Sequence, residues 1–179
     1  MTEKLVAAVG ESLLAIGLYT IAFESMVLSF RGGMHDHLKV NDPESLRKLL
    51  KACSAAHDTF RFCTPVLLQL GVIKKADSDA LTDMRKRRNK FSHEGYNEVM
   101  SLSVADVESD VLLMYRITGK VERWRLSAQS SRATRSTSAG TTETRHFSVS
   151  PAIFGMYLQA AKEISYEFSH GPLGHIARR

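Results

Sequence analysis

The long apolar stretch from Leu5 to Phe30 limits what this chain can fold into more than any other segment. Glu11 and Glu24 interrupt it and leave twelve uncharged residues between them, short of the roughly 20 needed to cross a bilayer. Glu3 and Lys4 precede it and no small-residue cleavage site follows cleanly, so it makes a poor signal peptide. The reading that remains is a central core helix, apolar on nearly all sides, running from about Thr2 to Phe30 and stopping at Arg31-Gly32-Gly33. A soluble, cytoplasmic protein without a membrane partner is the expectation. With 179 residues, 44% hydrophobic and 24% charged, the chain has the size and composition of a single domain spanning 1–179.

Helix signals recur along the rest of the chain. After a loop from Gly32 to Asn41, Asp42 is placed as an N-cap with Pro43 in the first turn and Glu44 against the helix dipole. Leu46, Leu49, Leu50, Cys53, His57 and Phe60 follow at helical spacing, Thr64-Pro65 can restart or kink the helix, and Gly71 ends it. A further helix opens at Ser103 with Asp106 as a variant capping box. It buries Val104, Val107, Val111 and Met114, and ends at Thr118-Gly119. Val121 to Leu126 and Arg145 to Val149 alternate like strands around a Ser/Thr/Arg-rich loop, about 127–148. Ser150-Pro151 starts a last helix with Ile153, Met156, Tyr157, Ala160, Ile164 and Phe168 inward, before a frayed tail at 170–179. The expected fold is all-α: a bundle of four to five helices, with a short β-hairpin or flexible loop inserted before the last.

Little of the usual chemistry of sites is present. Cys53 and Cys63 are ten apart and read as small buried hydrophobes in a reducing compartment rather than a zinc pair. His35-Asp36-His37 offers two metal ligands in a loop with no third in view and reads as solvated. No Gly-rich phosphate loop and no internal repeat occur. No metal or cofactor is called for. The net charge of +5 favours a polyanionic partner.

The informative segment is Met84 to Tyr96, on a helix expected from about Asp77, its N-cap, to His93. Leu81, Met84, Arg88 and Phe91 share one stripe, with Arg88 between apolar residues, while Lys86, Arg87 and Lys90 point away and can be solvated. A charge on an inward stripe is costly unless paired, and Glu24 lies in an apolar run with the same need. A Glu24–Arg88 pair would satisfy both; separate partners elsewhere would serve as well. Asn89 lies four before His93, where its amide can orient the imidazole. Arg88 and His93 diverge by roughly 140° on an ideal helix, so their meeting on one phosphate asks for Arg88's reach or a helix that ends near Ser92.

The run Arg88-Asn89-Lys90-Phe91-Ser92-His93 resembles the signature of the HEPN superfamily (higher eukaryotes and prokaryotes nucleotide-binding domain). The resemblance implies an all-α bundle and metal-independent endoribonuclease activity of the kind found among toxins and antiviral defence proteins. It also implies a homodimer in which two Arg/His pairs face one another across a cleft. On that basis Arg88, His93 and Asn89 are the expected catalytic residues, and Lys86, Arg87 and Lys90 the RNA-binding ones. RNA is the expected partner, with a cognate antitoxin or regulatory protein as another. The alternative is a non-catalytic binding or dimerisation module, for a nucleotide or protein, in which Arg88 and His93 are structural.

Overall fold

A computed structural model of the chain describes residues 3–52, 59–98, 102–133 and 151–170. Among the described residues every element is a helix. There are six: α1 (Glu3–Asn41), α2 (Pro43–Ala52), α3 (Thr59–Gln69), α4 (Lys75–Glu98), α5 (Val104–Ala133) and α6 (Pro151–His170). They pack as two compact units. One comprises the described residues of Met1–Glu24, Leu81–Tyr115 and Ser150–Arg179, the other those of Ser25–Ala80 and Arg116–Val149.

Several helix ends lie where local chemistry places them. Asp42 precedes Pro43 and its carboxylate accepts the Ser45 N–H at 3.0 Å, which satisfies one donor of the first turn. Gly71 ends α3 with φ of 70°. Its N–H reaches Leu68 C=O at 3.0 Å and the Val72 N–H reaches Leu67 C=O at 2.9 Å, the paired bonds of a glycine-terminated helix. Ser103 and Asp106 cap α5 reciprocally: the Asp106 carboxylate accepts the Ser103 N–H at 2.8 Å, and Ser103 Oγ accepts the Asp106 N–H at 3.3 Å. Those Ser103 bonds hold the Asp106 carboxyl below the usual range.

α4 starts two residues earlier than expected. Asp77 is not its N-cap; it lies in the first turn and its carboxylate accepts the Lys74 N–H at 2.8 Å and the Lys120 ammonium at 2.7 Å. Burial pushes this carboxyl up, but the Lys120 and Lys74 bonds outweigh it and hold it below the ordinary value.

Other expectations are corrected as well. α1 does not stop at Gly32-Gly33 but runs to Asn41, so His35 and His37 are helical rather than in a loop. The glycine there serves close packing: a Cβ on Gly33 would meet Val121 at 3.2 Å and the Trp124 ring at 3.3 Å. α5 does not stop at Thr118-Gly119; Val121 to Leu126 is helix, and so is the start of the expected loop as far as Ala133. The buried line Val104, Val107, Val111, Met114 continues through Ile117 and Val121 at a 3.6-residue period, which overrides the local alternation. Arg145 to Val149 lies outside the described residues. The expected second helix is two, α2 and α3, separated by residues outside the described set. In α6, Leu158 and Ala161 are buried while Met156, Tyr157 and Ile164 are 70%, 49% and 45% exposed; a helix apolar on several sides leaves its inward face undetermined by pattern alone.

α1 is buried along one side, through Ser12, Ala15, Leu18, Tyr19, Ala22, Phe23 and Met26. The expectation of a helix buried nearly all round does not hold, since Val6, Leu13, Ile21 and Leu28 are exposed. By length and composition α1 could also cross a membrane, since an 18-residue window within Leu5–Lys39 has a mean hydropathy of 1.8.

The Asp77 cluster has a pH signature. A carboxyl held low in the folded state contributes stability that is present above its unfolded pKa, about 3.9. That contribution is lost as pH falls through the folded value. The melting temperatures of the wild type and Asp77→Asn, separated at neutral pH, should therefore converge below about pH 4. A separation that persists into acid would show that the Lys120–Asp77 pair does not act this way.

Candidate functional site

α4 carries the site because its apolar stripe forces one face inward. Leu81, Met84 and Phe91 are 0%, 3% and 6% exposed, each on the line expected. Arg88 interrupts that line and is satisfied by α1: its Nη2 donates to Glu24 Oε1 at 2.7 Å. The side chains are 29% and 48% exposed respectively, so this is a surface ion pair, worth about 0–1 kcal/mol. One atom of Arg88 is left over, since Nε is buried with no hydrogen-bond partner.

One turn earlier α1 makes a second contact with α4, where the Tyr19 hydroxyl donates to Met84 C=O at 3.0 Å. The Tyr19 ring meets Phe91 edge-on, with centroids 5.1 Å apart. Burial, then the neighbouring Asp110 carboxylate, push the Tyr19 phenol well above its usual range, with Arg87 acting the other way.

Arg87 is placed differently from the solvated cation the helical wheel implies. Its Nη1 donates to Asp110 at 2.9 Å and its Nη2 to Asp106 C=O at 2.9 Å. The guanidinium carbon lies 5.9 Å from the Tyr19 ring centroid and 5.7 Å from that of Phe91. A planar cation on aromatic faces with two directed acceptors is a structural joint between α4 and α5. Sequence reasoning missed it because Asp110 and Tyr19 are far from Arg87 in the chain.

The remaining residues are exposed. Lys86 pairs with Asp83 at 3.0 Å, and Lys90 lies on the surface. Asn89 and His93 are exposed on one side of α4, and no hydrogen bond joins them among the described residues. α4 continues past Ser92 to Glu98, so Arg88 and His93 keep their roughly 140° divergence. One chain does not bring them together. Among the described residues no group of three His, Cys, Asp or Glu side chains could hold a metal ion.

The other unit has a polar cluster of its own. Ser29 Oγ donates to Glu122 at 2.5 Å, and Arg125 Nε donates to Asp36 at 2.7 Å. Arg125 also lies 3.7 Å from Glu122 and is 12% exposed. Burial raises the Asp36 carboxyl, but bonds from Arg125 and then His35 bring it below its usual value. His37 lies against Trp124, with ring centroids 5.2 Å apart. These contacts tie α1 to α5. Cys63 is fully buried; Cys53 and His57 lie outside the described residues.

No family model, curated protein or solved structure matches the chain.

The contrast between Arg87 and Lys86 can be measured. Arg87→Ala strands a half-buried carboxylate and should lower unfolding free energy by about 1–3 kcal/mol. Lys86→Ala removes an exposed pair and should stay within about 0.5 kcal/mol. Urea denaturation of both variants reads the difference, and equal small effects would mean that Arg87 is not a joint.

Proposed function

We propose that this chain is a metal-independent endoribonuclease that cleaves RNA by 2′-OH attack, acting in the cytoplasm as a homodimer in a toxin or defence role. The observation that carries the reading is the Arg88-Asn89-Lys90-Phe91-Ser92-His93 run of α4, in which Phe91 is buried and the polar side chains reach the surface. It offers a guanidinium at the solvent boundary and an exposed imidazole on one helix. An imidazole can carry protons near neutral pH, and a guanidinium can clamp phosphoryl oxygens.

In this reading a ribose 2′-oxygen attacks the adjacent phosphorus and the 5′-oxygen of the next nucleotide leaves. His93 takes the proton of the 2′-hydroxyl or gives one to the leaving oxygen. Arg88 donates to the non-bridging oxygens as their charge grows. Asn89, four residues before His93, orients the imidazole once substrate is bound. Lys86 and Lys90 draw in the backbone. Arg87 serves indirectly, by holding α4 against α5.

Because α4 runs unbroken through Ser92, Arg88 and His93 of one chain point to different sides. A phosphate served by both needs a second copy, whose twofold-related α4 supplies the other group. This makes dimerisation part of the proposal. A specific observation favours the second reading, a binding or dimerisation module: Arg88 already has a carboxylate partner in Glu24, as a purely structural arginine would.

Labelled single-stranded RNA incubated with the purified protein in EDTA separates the two. Cleavage should survive chelation and fall by about 10²–10⁴-fold in His93→Ala, the usual scale of general acid–base catalysis, with a comparable loss in Arg88→Ala. Folded His93→Ala protein with near-normal turnover would remove the assignment. Intact RNA in every sample would favour the binding module.

A further inference from the structure

The Glu24–Arg88 pair leaves a particular edge of the guanidinium for a ligand. Arg88 Nε is buried, so no phosphate reaches that side without moving the protein. Nη2 is engaged by Glu24 Oε1 at 2.7 Å. Nη1 has no acceptor among the described residues, and it belongs to a side chain that is 29% exposed. The guanidinium is thus gripped at one terminal nitrogen, closed at Nε and open at the other.

Glu24 is well placed to grip it. Its neighbours Phe23 and Met26 are 6% and 0% exposed and anchor this part of α1. The Tyr19–Met84 bond holds the same two helices together without involving either charge. Removal of the carboxylate therefore leaves the helices in place and frees only the guanidinium.

We propose that Glu24 is a positioning residue for Arg88. It fixes Nη2 so that Nη1 faces an incoming phosphodiester, and the pair stays intact when RNA binds. The inference rests on the reading of Arg88 as the phosphate-holding cation. A guanidinium has five N–H donors, so a carboxylate and a phosphate can share it. A guanidinium fixed before substrate arrives loses less freedom in the transition state. The effect belongs in turnover rather than in substrate affinity.

The test uses the full chain and two readouts. The first is the arginine side-chain NMR signal of Arg88, identified by its loss in Arg88→Lys. It is followed during titration with a 2′-O-methyl oligoribonucleotide, which cannot undergo 2′-OH attack. The wild-type signal should shift and stay sharp, whereas in Glu24→Gln it should broaden as the guanidinium turns. A bound wild-type signal that matches Glu24→Gln would mean that phosphate displaces the carboxylate, and no shift at all would mean that Arg88 does not meet the backbone; either overturns the proposal.

The second readout is cleavage. Glu24→Gln should lose roughly tenfold to hundredfold in kcat, with KM and melting temperature nearly unchanged and Glu24→Asp restoring part of the loss. Wild-type kcat in Glu24→Gln also overturns the proposal. If the wild type cuts no RNA, the nuclease reading fails, and the NMR titration still decides whether Glu24 positions Arg88 for an anion.

Discussion

α4 must bury one stripe while carrying five cations between Arg85 and Lys90, and the way that conflict is resolved organises its surroundings. Leu81, Met84 and Phe91 drive the helix inward through the hydrophobic effect, about 25 cal/mol per Å² of apolar surface removed from water. The two arginines nearest the stripe cannot follow uncompensated. Arg87 is taken up by Asp110, the Asp106 carbonyl and the rings of Tyr19 and Phe91. Arg88 is taken up by Glu24. Each arrangement recruits another helix: α5 through Asp110, α1 through Tyr19 and Glu24.

This resolution also shapes what α4 can offer a nucleic acid. The run of lysines and arginines looks like a polycation in the sequence, but at least three of its members have acidic partners: Lys86 with Asp83, Arg87 with Asp110 and Arg88 with Glu24. Attraction to phosphate through such a surface is weaker than a count of cations suggests, because each pair already neutralises part of the field. In the proposed reading the helix selects where a phosphate sits more than it raises affinity. Arg88 has an open edge at the surface, and His93 with Asn89 occupies another side of α4.

The parts of the structure legible in the sequence are those governed by short-range chemistry. Asp42-Pro43, Ser103 with Asp106, and Gly71 marked helix ends because capping and a left-handed glycine depend on a few neighbouring residues. The stripe Leu81, Met84, Phe91 and the line Val104 to Met114 were legible because helical burial repeats. The Glu24–Arg88 pair followed from two charges that each needed a partner, although pattern alone left other partners open. What the sequence concealed depends on tertiary contact. Gly32-Gly33 read as a stop because isolated glycines weaken helices, whereas Trp124 packed against Gly33 requires the missing side chain. Val121 to Leu126 read as a strand because a six-residue alternation ignores the longer line it continues. Arg87 read as solvated because its acceptors come from α5, and α6 offered apolar residues on more than one face.

In the proposed reading, α4 breaks RNA through the ribose 2′-hydroxyl. Mass spectrometry of the fragments from a defined oligoribonucleotide tests it most directly. The account predicts upstream fragments ending in a 2′,3′-cyclic phosphate and downstream fragments beginning with a 5′-hydroxyl. Fragments bearing 3′-hydroxyl and 5′-phosphate ends, or cleavage that persists when the ribose at the cut site lacks its 2′-hydroxyl, would contradict it.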